Sequence, residues 1–178
     1  MKQDTICALA TPPGGAIAVV RVSGPDAVAI TGSIFSKPLE KAEGYSLHFG
    51  QIKDMDGKEL DEVLVSVFRA PHSYTGEDST EISCHGSSYI AKNLLESLIW
   101  AGARQAEPGE FTMRAFMNGK LDLSQAEAVA DLISSSTQAT HQMAMSQMRG
   151  QFSQELKDLQ GQLLHLTSLL ELELDFND

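Results

Sequence analysis

Seven apolar residues late in the chain, Met148, Phe152, Leu156, Leu159, Leu163, Leu166 and Leu170, recur at steps of four and three. That spacing lays one stripe along a long helix. A helix of this kind owes most of its stability to whatever covers the stripe. The sequence offers one other helix nearby, predicted over residues 124–135, where Ser124 and Glu127 have the spacing of a capping box. The stripe therefore packs on the first part of the chain, or its partner lies in another chain or in a segment outside these 178 residues. The closing run Leu174-Asp175-Phe176-Asn177-Asp178 has no capping residue and reads as the end of a truncated chain.

Charge changes where the helices begin. The chain carries 13 basic and 24 acidic side chains, a net charge of −11, and residues 121–178 hold only 2 of the basic ones against 9 acidic. Such a surface repels phosphate backbones, so the chain alone is a poor nucleic-acid binder. With 42% hydrophobic and 21% charged residues the composition is globular rather than disordered. Two cysteines, Cys7 and Cys84, are too few for a secreted disulfide framework and point to reduced thiols in the cytosol. No uncharged apolar run reaches the ~18 residues a membrane span needs, and the first residues lack a signal-peptide pattern.

Residues 1–119 read as mixed α and β. Short apolar runs over residues 6–10 and 16–22 are predicted strands, joined by Thr11-Pro12-Pro13-Gly14-Gly15 as a turn. Pro25 suits the first position of a helix carrying Ala27, Ile30 and Ile34. Residues 46–52, the turn Asp54-Met55-Asp56-Gly57 and the alternating Val63, Val65 and Val67 predict a hairpin. Another strand is predicted over residues 80–84, then an amphipathic helix over 87–100 stopped by Gly102.

Several chemical motifs fail on spacing. Gly14-Gly15 opens a strand where a dinucleotide loop opens a helix. Neither Gly57-Lys58 nor Gly119-Lys120 is followed by Ser or Thr, so there is no Walker A sequence and no nucleotide hydrolysis is expected of this chain alone. Cys84 and His85 are strand neighbours facing opposite ways, and the five histidines lack zinc-ligand spacing. The sequence thus points to no catalytic residue and no metal ligand.

Three groups stand out instead. Arg21 lies inside the apolar run Val19-Val20-Arg21-Val22, where a guanidinium is costly without a partner, either an internal carboxylate or an anionic ligand. Glu81 lies inside a predicted strand near Gly86, where a carboxylate can accept two parallel hydrogen bonds at a pocket rim. Glu77 and Asp78, with Glu81, put three carboxylates in seven residues, and the two loop acids read evenly as solvated or as part of a site, while Arg114 and Lys120 present positive charge suited to a carboxylate-bearing ligand.

The motifs Thr11-Pro12-Pro13-Gly14, Val20-Arg21-Val22-Ser23-Gly24-Pro25, Tyr74-Thr75-Gly76-Glu77-Asp78, His85-Gly86, Pro108-Gly109-Glu110-Phe111-Thr112 and Asn118-Gly119-Lys120-Leu121-Asp122-Leu123 followed by Gln125-Ala126-Glu127-Ala128 resemble, in order and spacing, the N-terminal part of the MnmE/TrmE family of tRNA modification GTPases. The loop after Pro13 is one residue shorter than the family's, and Ser87-Ser88 replace a common Gly-Pro. The resemblance implies an α+β fold: a domain over residues 1–119 of the tetrahydrofolate-binding type, similar to the glycine-cleavage T-protein, then the long helices of a helical domain over residues 120–178. It implies a homodimer that binds 5-formyl-tetrahydrofolate, with Arg21, Glu81 and Lys120 matching positions that contact the folate. It implies a FAD-containing MnmG partner and modification of the wobble uridine of certain tRNAs at carbon 5. The GTPase domain, with GTP, magnesium and potassium, is expected beyond Asp178. A non-catalytic dimerisation scaffold and a stand-alone folate-dependent one-carbon transferase are the alternatives.

Overall fold

The alternating valines Val63, Val65 and Val67 form the inner face of a ten-residue strand that lies second from one edge of a six-stranded sheet. The computed structural model describes residues 4–175. The strands are β1 Ile6–Leu9, β2 Ile17–Ser23, β3 Ser46–Lys53, β4 Glu59–Phe68, β5 Ser79–His85 and β6 Arg104–Gln105, and the helices are α1 Ala27–Ile34, α2 Ser88–Trp100, α3 Glu110–Met117, α4 Leu123–Ser134, α5 Gln138–Met148 and α6 Gln151–Asp175. The fold is α+β. The chain divides into two units, Met1–Lys120 and Leu121–Asp178.

In the first unit the sheet order is β3-β4-β5-β2-β1-β6, antiparallel throughout except that β6 runs parallel to β1. Helices α1 and α2 pack on one face. There Val20, Val22, Ile82, Val65 and Val67 meet Ile30, Ile34, Leu94 and Leu98, all buried. Fully burying a side chain of this size contributes roughly 1.5–3 kcal/mol, so this layer is the principal source of stability. The hairpin turn between β3 and β4 is held by Asp54 Oδ1, which accepts from the backbone N–H groups of Asp56 and Lys58 at 3.0 and 2.9 Å. The β3 edge is covered in part by the preceding segment: Ser36 N–H donates to the Gln51 carbonyl at 2.9 Å and Lys37 Nζ to the Phe49 carbonyl at 2.5 Å.

Three local readings shift. Pro25 precedes the cap of α1 rather than opening the helix, because Asp26 is the cap and its N–H is taken by Thr5 Oγ1 at 3.0 Å. The capping box of α4 is Asp122 with Gln125, not Ser124 with Glu127. Both patterns overlap in sequence, and the earlier one closes: Asp122 Oδ1 accepts from Gln125 N–H at 2.8 Å and Gln125 Oε1 from Asp122 N–H at 2.9 Å. A third helix, α5, stands where the sequence suggested none, and Met148 ends it instead of starting the striped helix. The break falls at Gly150, whose φ of +75° suits glycine at a helix end.

In the second unit α4 and α5 form an antiparallel pair tied at the end opposite its turn, where α4 begins and α5 ends. Gln125 Nε2 donates to the Met148 carbonyl at 2.7 Å and Gln147 Nε2 to the Ser124 carbonyl at 3.0 Å. Along α6 the stripe Phe152, Leu156, Leu159, Leu163 and Leu166 stays about half exposed among the described residues. The side chain of Leu170 and residues 176–178 lie outside the described set. No helix among the described residues is long and apolar enough to cross a membrane.

Candidate functional site

On the face of the sheet away from α1 and α2, antiparallel pairing sets Arg21 of β2 directly beside Glu81 of β5. The register makes them cross-strand neighbours, so the internal carboxylate considered for Arg21 is Glu81. Arg21 Nε and Nη2 both reach Glu81 Oε1, at 2.9 and 2.8 Å. Each side chain is about a quarter exposed. The pair neutralises itself and leaves Arg21 Nη1 and Glu81 Oε2 without hydrogen-bond partners among the described residues. The result is an outward-facing donor beside an acceptor with no net charge.

Two aromatic rings complete the arrangement, and neither was singled out from the sequence. The Arg21 guanidinium carbon lies 4.9 Å from the centroid of the Tyr74 ring and 5.5 Å from that of Phe111. Tyr74 belongs to the loop between β4 and β5, and its hydroxyl shares a 2.8 Å hydrogen bond with Thr112 Oγ1 in α3. The available signal was an aromatic residue close to a glycine, Tyr74 in the loop with Gly76 and Phe111 just after Gly109 at the start of α3.

Lys120 grips the same loop from its far end. Its ammonium donates to the Pro71 carbonyl at 3.0 Å, and Asn118 Nδ2 donates to the Thr75 carbonyl at 2.8 Å. The Lys120 stem passes so close to Gly76 that a Cβ there would lie 3.1 Å from its Cγ. Arg21 and Glu81 are thus brought into contact, while Lys120 connects to them through the loop that carries Tyr74.

The acids and cation beside this site are structural. Glu77 is not an exposed loop acid but 8% exposed, accepting from Ser23 Oγ at 2.7 Å and facing Arg114 Nη1 at 3.3 Å. Arg114 is equally buried, so it does not offer its charge to a ligand. It donates to the Asp4 carbonyl and Oδ1, both at 2.7 Å, and to Glu110 Oε1 at 3.2 Å. Arg104 hydrogen bonds, with help from the Glu107 N–H and Arg114, hold the Glu110 carboxyl down at about 2 despite its burial. Arg104 and then Arg114 do the same for Asp4, also to about 2. Asp78 is committed too, accepting from Arg69 Nη1 and from Ala70 N–H, each at 2.8 Å.

Cys84 and His85 do not converge, as their strand positions require. Cys84 Sγ points to the Ala18 carbonyl at 3.6 Å, whereas His85 Nδ1 meets Asp61 Oδ1 at 2.8 Å. Burial pushes both thiols up, Cys7 and Cys84 each to about 11, which keeps them protonated and inert.

Comparison with known proteins covers both units. Residues 5–120 match the family model described as the GTP-binding protein TrmE N-terminus, and residues 123–178 match the MnmE helical domain. Proteins named tRNA modification GTPase MnmE are 62% identical in Bacteroides thetaiotaomicron and 60% in Flavobacterium johnsoniae, over 100% and 99% of this chain. The namesake from Phocaeicola vulgatus is 54% identical over 100% of the chain. The chain spans 39% of the first relative's length, 39% of the second's and 43% of the third's.

Proposed function

The chain belongs to the MnmE family of tRNA modification GTPases, and on that premise we propose that its first unit is a folate-binding, dimerising module serving tRNA modification. The observation that carries the ligand reading is the neutral Arg21–Glu81 pair, with one donor and one acceptor left open on an accessible sheet face. A pterin edge offers the complement, an N–H for Glu81 Oε2 and a polar oxygen for Arg21 Nη1. The glutamyl tail of 5-formyl-tetrahydrofolate is anionic and suits Lys120. When bound, the folate carries a one-carbon group. The protein's residues bind and orient it, and none of Arg21, Glu81 and Lys120 is assigned a proton transfer.

Dimerisation is supported by the same sheet face. Phe49, Leu64, Ser83 and Val19 are successive register partners across it, and Leu47 and Phe49 are 61% and 55% exposed. Apolar side chains gathered on one accessible surface are the usual mark of a protein contact. A second copy of this chain is the occupant proposed. GTP hydrolysis with magnesium and potassium, the meeting with a FAD-containing MnmG-type partner, and carbon-5 modification of the wobble uridine belong to the whole cytoplasmic protein. A dimerisation scaffold without ligand would use the same face and is separated from this reading by folate binding.

Isothermal titration with 5-formyl-tetrahydrofolate tests the ligand. A charged hydrogen bond contributes roughly 1.5–3 kcal/mol, so Glu81→Ala should weaken binding at least about tenfold. Unchanged affinity in that variant removes the pterin assignment. Sedimentation equilibrium of the chain should give a dimer, and Phe49→Asp should give a monomer.

A further inference from the structure

We infer that Tyr74 and Phe111 are the positioning residues of the ligand site, an aromatic clamp that holds Arg21 in one setting so that its open edge is presented to the ligand. The inference rests on the folate reading above for its ligand and on geometry for the clamp.

Arg21 has a long, flexible stem, and its contact with Glu81 uses a single carboxylate oxygen for both Nε and Nη2. One shared acceptor is a pivot, whereas a two-oxygen fork would fix the guanidinium plane. Something else must set the orientation of Nη1. The two rings are placed to do so, since both lie within the ~6 Å at which a guanidinium is attracted to an aromatic face. They also cover part of the cation, leaving its side chain about a quarter exposed, and a partly desolvated guanidinium makes stronger hydrogen bonds with its free edge.

The rings are themselves restrained. The hydroxyl of Tyr74 is bonded to Thr112, the residue following Phe111, so the two rings are tied to each other through α3. The Tyr74 loop is fastened on either side, at the Pro71 carbonyl by Lys120 and at the Thr75 carbonyl by Asn118. Three ties from residues 112–120 thus fix one aromatic ring over one arginine. Lys120 accordingly has a part in shaping the site beyond any contact with an anion. With its charge balanced by Glu81 and its flanks taken by rings, Arg21 is left to meet a neutral, flat heterocycle by its edge.

The test compares Tyr74→Leu, Phe111→Leu and Tyr74→Phe with the parent chain, by titration with 5-formyl-tetrahydrofolate and by the proton–nitrogen NMR signal of Arg21 Nε–H without ligand. Thermal midpoints are recorded in parallel. The leucine variants should weaken binding roughly fivefold or more, the scale of a cation–π contact to a partly exposed arginine. Their Arg21 signal should broaden or exchange with water. Tyr74→Phe loses the hydroxyl tie but keeps the ring and the two loop ties from Asn118 and Lys120, and should stay within about twofold of the parent, a rescue that loss of fold would not give. Parent-like affinity and a sharp Arg21 signal in both leucine variants overturn the inference. Should Phe111→Leu not fold, Phe111→Met takes its place. Should the parent itself not bind the folate, the ligand reading falls and the Arg21 signal alone decides the clamp.

Discussion

Replacing Arg114 with alanine strands a charge, and the size of the effect follows from its neighbours. Glu110 keeps Arg104 at 2.6 Å and the Glu107 N–H at 2.7 Å, and Asp4 keeps Arg104 at 2.6 Å while being half exposed. Glu77 is different: 8% exposed, it would retain only Ser23 Oγ as a side-chain donor among the described residues. Removing one partner of a buried pair costs about 3–5 kcal/mol, because the remaining charge stays desolvated. Against a total of about 5–15 kcal/mol that is a large fraction. With a urea slope of about 1–3 kcal/mol/M, the unfolding midpoint of Arg114→Ala should fall by roughly 1–5 M at unchanged slope. The double variant Arg114→Met with Glu77→Gln removes both charges and should recover more than half of the loss. A midpoint within about 0.5 M of the parent, or a double variant no better than the single, would refute the claim that Glu77 depends on Arg114.

Acid should act through the same cluster. Glu110 and Asp4 titrate at about 2 in the folded chain against ordinary values of 4.5 and 3.8, so the stability they contribute is complete above those values and lost as pH falls toward 2. Circular dichroism across that range should show a steep loss, shallower in Arg104→Gln. Gly86→Ala should destabilise by roughly 1–3 kcal/mol, since its Cβ would stand 1.7 Å from the Gly15 carbonyl oxygen and the loop before β2 would have to move. Gly161→Ala, in open space on α6, should instead raise the thermal midpoint slightly. Cys7 and Cys84 should resist a thiol reagent at neutral pH until the chain is unfolded, both being buried.

Why some of this was legible in the sequence and some not follows from the range of the forces. The hairpin of β3 and β4, the strands β2 and β5 and helix α2 are written in local periodicity, and each stands within a residue or two of where the pattern puts it. Helix α5 escaped because Gln138–Met148 has no apolar face to read, with Ala144 its one buried residue. Strand β6 is two residues long and exists through its pairing with β1. For the site, an arginine inside a valine run signalled unusual burial, and a glutamate inside a strand did the same. That the two are neighbours depends on the β2–β5 register, which no local pattern encodes. Glu77 stays undecided in sequence for the same reason: its cation, Arg114, lies 37 residues away.

The covered margin of β3 has a bearing on how copies of this protein can associate. Ser36 and Lys37 occupy carbonyls that an incoming strand would need, and at the opposite margin β6 offers a ladder only two residues long. A sheet with one border partly covered and the other only two residues long gives a neighbour's backbone little on which to build a continuous ribbon. Recognition between copies is thereby weighted toward side chains, where shape and charge discriminate one partner from another.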